Sequence, residues 1–259
     1  MASKAAERGG IVETVRTVVW ALIIAGAFRT LFFQPYWIPS ESMKDTLLIG
    51  DFLFINKMVY GYSRFSCPFD ACPISGRIWG AEPTRGDVVV FSHPVSHTVL
   101  VKRLIGLPGD RIQVRAGLLF INDVLAPQQP DGQFEEVMEA QGSMANRPHC
   151  ENAPVEDGEI CRRSRAIETL PGGVAHHVLN IEDNGYGDNT EVFTVPPDHF
   201  FFMGDNRDNS LDSRFANGVG FVPFENLIGR ADIALFSSAG TSLFQFWTWR
   251  ADRFFKVID

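Results

Sequence analysis

Hydrophobic and polar positions divide the chain into two unlike parts. Val18-Val19-Trp20-Ala21-Leu22-Ile23-Ile24-Ala25-Gly26-Ala27-Phe28 runs without a charge. Alone it falls short of the roughly 20 apolar residues that cross a bilayer. Thr17 leads into it, and Leu31-Phe32-Phe33 continues it beyond Arg29, whose long side chain can snorkel to the interface. The pattern predicts one spanning helix over 17–33 after a cytoplasmic stretch, 1–16, whose first ten residues read as polar and flexible. Lys4, Arg8 and Arg16 put positive charge before the span, which places that side in the cytoplasm. Tyr36 and Trp37 suit the interfacial aromatic belt. A cleaved leader would end in a small-x-small pair; Phe32-Phe33-Gln34-Pro35-Tyr36 stands there instead, so the run reads as a retained anchor.

From Ile49 the period changes. Short apolar or alternating runs bounded by Gly, Pro, Asn and Asp read as strands. They are Phe52–Ile55, Gly86–Phe91, Thr98–Ile105, a hairpin of Arg111–Val114 with Leu118–Asn122, Val174–Ile181, Val192–Val195, His199–Met203 and Ala231–Phe236. Gly61–Glu82 reads as a loop excursion, and 123–165 as a polar surface region of irregular loops. The aromatic tail Ser242–Val257 is expected to be a short helix lying on the body or at a membrane. The expected architecture is mainly β: a transmembrane helix, a β core from 34–107 and 198–259, and a second β-rich subdomain over 108–197.

Composition narrows the function classes. Net charge is −8, with no basic tract beyond the N-terminus, which argues against nucleic acid as a partner. Phe is over-used, 22 against 4 Tyr, which suits either a large core or an apolar face at a membrane. Cys67, Cys72, Cys150 and Cys161 form no C-x-x-C and accompany no paired histidines, so no zinc site is expected. Four cysteines allow three pairings. Cys67 with Cys72 and Cys150 with Cys161 would close short loops if the body lies in an oxidising compartment.

The chemistry centres on Ile38-Pro39-Ser40-Glu41-Ser42-Met43, where the anchor ends and the body begins. Pro39 keeps Ile38 out of the helical region, so the chain enters the serines extended. A serine needs a base within hydrogen-bond reach to attack; without one, Ser40 and Ser42 are only a polar turn. No G-x-S-x-G elbow occurs. His93, His97, His149, His176, His177 and His199 stand in no recognisable triad, and His93 with His97 lacks the zincin glutamate. Lys102 is different. It alternates with Leu100 and Leu104 on one face of a largely apolar strand, while Arg103 points the other way. Desolvation there lowers a lysine's pKa, and a neutral lysine can serve as base to a serine. A third stretch, Gly204 to Arg214, packs three Asp and two Arg among amides and hydroxyls; by itself it would be a solvated turn.

Together these stretches resemble bacterial type I signal peptidases, the membrane-bound Ser-Lys leader peptidases. Pro39–Met43 with Thr46-Leu47 resembles the nucleophile box, Lys102–Asp110 the base box, and Gly204–Arg214 the G-D-N-R-D-N-S-x-D-S-R box, in the family's order and rough separations. The resemblance implies coiled antiparallel sheets on the periplasmic side of a bacterial inner membrane. It implies a serine endopeptidase that removes signal peptides after A-x-A-like sites. Ser42 would be the nucleophile and Lys102 the general base. Ser40 would share the oxyanion hole with the Ser42 backbone N–H. Ser210 would orient Lys102, with Asp212, Arg214 and Asp205 in support. Ile38, Pro39, Met43, Leu47 and Val101 would line shallow pockets for small side chains. The implied partners are signal peptides of exported pre-proteins, membrane lipid and nearby secretion machinery; neither metal nor cofactor is implied. The family often carries two N-terminal spans, where this sequence shows one.

Overall fold

The structure, a computed structural model, describes residues 3–67, 70 and 72–258. Helix α1 spans Ser3–Leu31. Its segment Gly10–Leu31, with mean hydropathy 1.8 and no part buried against the body, is long and apolar enough to cross a membrane. The helix begins earlier than expected. Ala5, Ala6, Glu7 and Arg8 are strong helix formers, so the polar segment from Ser3 to Gly10 continues the helix instead of forming a flexible lead. It also ends earlier, at Leu31: Pro35 disfavours helix at the residue before it, and Phe33–Trp37 becomes strand β1. The junction is pinned. The Lys57 N–H donates to the Phe32 carbonyl at 3.1 Å, and the Tyr62 hydroxyl donates to the Leu31 carbonyl.

The strands that follow are β2 Asp51–Asn56, β3 Tyr62–Ser63, β4 Arg77–Ile78, β5 Val88–Ser92, β6 Val99–Gly106, β7 Arg111–Arg115, β8 Leu118–Ile121 and β9 Val124–Leu125. Then come β10 Gln128–Val137, β11 Ile160–Thr169, β12 Ala175–Asn180, β13 Phe193–Thr194, β14 His199–Met203, β15 Val222–Pro223, β16 Leu227–Ser237 and β17 Lys256–Val257. The fold is mainly β. A curled antiparallel sheet runs β1-β2-β16-β5-β6-β14-β15, with β17 on β16. Smaller sheets hold β10-β11-β12 and β13-β7-β8-β9, and β3 pairs with β4.

Alternation explains the packing. Leu53 and Ile55 of β2 face a core with Val88, Val90 and Ile228. Phe52 and Phe54 on the other face meet Trp37 and Phe33 edge-on. Central β5 is buried throughout, as a strand covered on both faces must be. A full aliphatic burial of this kind contributes about 1.5–3 kcal/mol. Strand β16 starts at Leu227, four residues before the expected Ala231. Gly229 lies inside it because only a bare Cα fits: a Cβ there would sit 2.5 Å from the Asn56 carbonyl oxygen.

The region 123–165 departs from expectation, since it holds the ten-residue strand β10 and the start of the ten-residue strand β11. In β10, Pro130 and Gly132 read as breakers, but a register shift between Pro130 and Gln133 absorbs them. In β11 the inward positions are taken by Cys161 and Arg163, both fully buried; a charge at a core position hides the period. Both cysteine pairs are closed, Cys67–Cys72 and Cys150–Cys161. The tail is not one helix. It makes short turns at Phe246–Thr248 and Ala251–Arg253 and then adds β17.

Candidate active site

The turn after β1 is closed on itself before it carries any chemistry. Ile38 N–H donates to Asp51 C=O and Gly50 N–H to Ile38 C=O, both at 2.9 Å. Leu47 N–H returns to Met43 C=O at 2.7 Å. Gly50 is required: its φ is +90°, and a Cβ would lie 1.8 Å from the Ser238 carbonyl oxygen. Ile38, Met43 and Leu47 anchor the turn in the β2–β5 core. This presents Ser42, 7 % exposed, with the hydroxyls of Ser40 and Ser42 3.5 Å apart.

Strand β6 brings the amine. Lys102 is 4 % exposed, and its Nζ donates to Ser42 Oγ. Val89 lies opposite it in the ladder. Leu100 and Leu104, its same-face neighbours, belong with Val89, Phe91 and Phe202 to one apolar cluster. Burial pulls the lysine down to about 8; Asp212 and Asp205 oppose the shift, and Arg214 adds to it.

The loop after β14 wraps both groups. Gly204 has no room for a side chain, because a Cβ would fall 2.3 Å from Ser210 Oγ and 2.4 Å from the Ser42 carbonyl oxygen. Gly204 N–H donates to Asp212 at 3.0 Å, and Arg214 Nε donates to the same carboxylate at 2.9 Å. Burial alone would raise Asp212; Arg214, the Gly204 N–H and Lys102 outweigh it and hold the carboxyl low. Asp205 links two elements. It receives both Nε and Nη2 of Arg103 at 2.9 Å and the Thr46 hydroxyl at 2.5 Å. Asn206 N–H donates to Ser42 C=O at 3.1 Å, and its Nδ2 donates to Glu41 C=O at 3.3 Å.

The geometry thus brings together Ser40, Ser42, Lys102, Asp205, Asp212 and Arg214. Ser210 is adjacent but does not bond Lys102: its buried hydroxyl has no hydrogen-bond partner among the described residues. The Ser210 side chain lies against Gly204 beside the Ser42 carbonyl. Of the expected pocket residues, Pro39 is exposed and Val101 half-buried. Ile38, Met43 and Leu47 are at most 2 % exposed and back the surface from within.

Sequence reasoning missed a second constellation: Glu41, Lys44, Glu136, Arg163 and Asn209. Its one visible sign is a carboxylate between two serines in a stretch that the fold buries. Arg163 and Glu136, 27 residues apart, pair only because β10 and β11 pair.

A hydroxyl in contact with a buried amine whose pKa is lowered to about 8 has the chemistry for nucleophilic acyl transfer; the arrangement is of the hydrolase type, on a mainly β scaffold. The comparisons give the family. The family model described as "Signal peptidase, peptidase S26" matches residues 11–236. A signal peptidase I of Rickettsia canadensis is 38 % identical over 233 residues, 86 % of this chain and 79 % of that protein. One of Rickettsia typhi is 39 % identical over 228 residues, 85 % and 78 % of the two chains. A solved signal peptidase I of Enterococcus faecalis aligns at 24 % identity and TM-score 0.30, over 58 % of this chain and 97 % of that one. The chain belongs to the signal peptidase family, peptidase S26: it is a serine peptidase, and the reaction of its family is the cleavage of signal peptides from exported pre-proteins.

Proposed function

We propose that the chain cleaves after A-x-A-like sites with a Ser-Lys dyad. Ser42 Oγ attacks the scissile carbonyl while neutral Lys102 accepts its proton. The Ser40 hydroxyl and the Ser42 N–H receive the oxyanion, each such donor contributing about 2.7–4 kcal/mol. Lys102 then returns the proton to the leaving amine and activates water for deacylation. Asp212, Arg214 and Asp205 fix the surrounding charges, and Ser210 orients the amine once substrate is bound. The observation that carries this reading is the contact of Lys102 Nζ with Ser42 Oγ, both groups buried.

A place for the peptide supports it. Strand β14 pairs with β6 only over Arg103–Gly106, so Val99–Lys102 keeps an open edge beside the amine. An extended peptide can add there as a strand, its alternate side chains turned toward the protein. Exposed Pro39 and half-buried Val101, with Ile38, Met43 and Leu47 buried behind them, would form the shallow pockets that an A-x-A site requires. Lys4, Arg8 and Arg16, ahead of the apolar run within α1, favour a cytoplasmic N-terminus with the body on the periplasmic side of the inner membrane, a compartment that suits both disulfides. Phe244, Phe246 and Trp247, 67–90 % exposed, fit a lipid interface, and the secretion machinery is the expected source of substrate. The test is purified full-length protein with an A-x-A pre-protein, followed by N-terminal sequencing of the product. A new N-terminus immediately after the second small residue is expected, lost in Ser42→Ala. Wild-type rates from Ser42→Ala would refute the assignment.

A further inference from the structure

Glu41 stands between the two serines, and its side chain turns inward. It is 6 % exposed. Oε1 receives Lys44 Nζ at 2.7 Å, and Oε2 receives Asn209 Nδ2 at 2.7 Å. Arg163 Nη2 approaches both oxygens at 3.4–3.5 Å. The backbone N–H and ring Nδ1 of His149 lie 3.4 and 3.5 Å from Oε2. Lys44 Nζ also reaches Glu136 at 2.8 Å and Gln141 at 3.1 Å, and Arg163 Nη1 reaches Glu136 at 2.7 Å. Two carboxylates thus meet two cations in the interior. Burial would raise the Glu41 carboxyl, but Lys44 and Arg163 outweigh it and keep it low.

The cluster joins three separate parts of the chain: the nucleophile turn, the β10–β11 pair and the loop after β14. That loop holds residues 41 and 42 twice over. Asn206 takes both of their carbonyls, and Asn209, three residues on, takes the Glu41 side chain. On the far side, Asn146 Nδ2 donates to the Pro39 carbonyl at 2.7 Å. The main chain from Pro39 to Ser42 is therefore held from two directions, and the Glu41 carboxylate meets the loop after β14 through Asn209 and the segment before β11 through His149.

We propose that Glu41 is a positioning residue for cleavage: its carboxylate, clamped by Asn209 on one side and by Lys44 and Arg163 on the other, sets the orientation of the Ser42 hydroxyl toward Lys102 and the scissile carbonyl. This rests on the Ser42–Lys102 reading above. Through Glu136 and Arg163 it gives the β10–β11 sheet, outside the three sequence boxes, a role in the reaction. A shift of about 1 Å in a reacting group can cost on the order of 100-fold, so the effect should fall on kcat and leave KM nearly unchanged.

The experiment uses full-length protein in detergent with an A-x-A pre-protein, measuring kcat, KM, the pH–rate midpoint and thermal unfolding. Glu41→Gln should lower kcat about 10- to 100-fold with KM within about threefold. The pH midpoint should not move, because the charges acting on Lys102 are Asp212, Asp205 and Arg214. Adding Lys44→Met removes the uncompensated cation and should restore the unfolding temperature without restoring kcat. Asn209→Ala should reproduce the kcat loss with near-wild-type stability, and it decides the matter if the Glu41 variant does not fold. The proposal is overturned if the double variant regains kcat together with stability, if Asn209→Ala keeps wild-type kcat, or if the pH midpoint shifts with Glu41→Gln. Failure of the dyad itself would show separately, as activity in Ser42→Ala.

Discussion

Replacing Lys102 with methionine separates what the amine does in the reaction from what it costs the fold. Methionine keeps the length and apolar stem and removes the charge. In the wild type, burial lowers the lysine from 10.5 to about 8. At about 1.36 kcal/mol per unit, holding it costs the native state about 3 kcal/mol at pH 7. The sign follows from proton binding: between about pH 8 and 10.5 the unfolded chain keeps a proton that the folded chain has released. Stability from this group therefore rises with pH across that window, and the penalty is complete below it. The same shift raises the neutral fraction at pH 7 about 300-fold over an unperturbed lysine, which is what the proposed general base requires. Lys102→Met should be inactive. It should also be about 2 kcal/mol more stable at pH 7, after allowing about 1 kcal/mol for the lost Ser42 contact, and the lysine's penalty shrinks to under about 1 kcal/mol by pH 10. Urea unfolding of both proteins in detergent at pH 7 and pH 10, followed by tryptophan fluorescence, measures this. The companion measurement is the wild-type pH–rate profile, expected to rise to a midpoint near 8 and hold at alkaline pH. A methionine variant less stable than wild type at pH 7, or a rate governed by a group near 6.5 or above 10, would refute the reasoning.

Gly204→Ala should abolish cleavage more than about 100-fold, because the added methyl must displace either Ser210 or the Ser42 carbonyl; steady-state kinetics on folded protein, checked by circular dichroism, decide it. Ser40→Ala should lower kcat by about 100-fold while leaving KM unchanged, the signature of one lost oxyanion donor. Reduction of Cys150–Cys161 should slow cleavage, since Cys161 lies two residues before Arg163 and Arg163 Nε holds the His149 carbonyl at 2.5 Å; the readout is activity against dithiothreitol, with a Cys67→Ser/Cys72→Ser variant to isolate this bridge. Phe244→Ser with Trp247→Ser should weaken association with anionic vesicles and leave cleavage of a short soluble peptide intact, as co-sedimentation and peptide kinetics would show.

What could be read from the chain, and what could not, divides along physical lines. The anchor, β5, β6 and β14 declare themselves by apolar runs, and Lys102 by being the cation on a strand face shared with Leu100 and Leu104. β10 and β11 do not. Their inward positions carry Arg163, a disulfide cysteine and glutamates whose charges cancel only across strands, so no periodicity marks them. β1 is hidden for another reason: Phe33-Gln34-Pro35-Tyr36-Trp37 continues the hydrophobicity of the span, and only Pro35 separates strand from helix. The Glu41 cluster needs residues from three distant parts of the chain. The Ser210 hydroxyl is legible as part of a box, but its missing bond to Lys102 is not.

One consequence follows from the seam between helix and body. Leu31 ends α1 and Phe33 begins β1, with Tyr62 and Lys57 fastening the single residue between and its neighbour. The link between helix and body is therefore one residue long and hydrogen-bonded to the body. From Phe33 to Ser42 the chain spans at most about 30 Å even if fully extended. With α1 crossing a bilayer, Ser42, the proposed nucleophile, would be carried at a set height above it, like a blade on a fixed mount. Bonds held at other depths pass out of reach whatever their sequence. Selection by altitude would then let the proposed recognition of two small side chains suffice, because an alanine away from that level would not meet the serine.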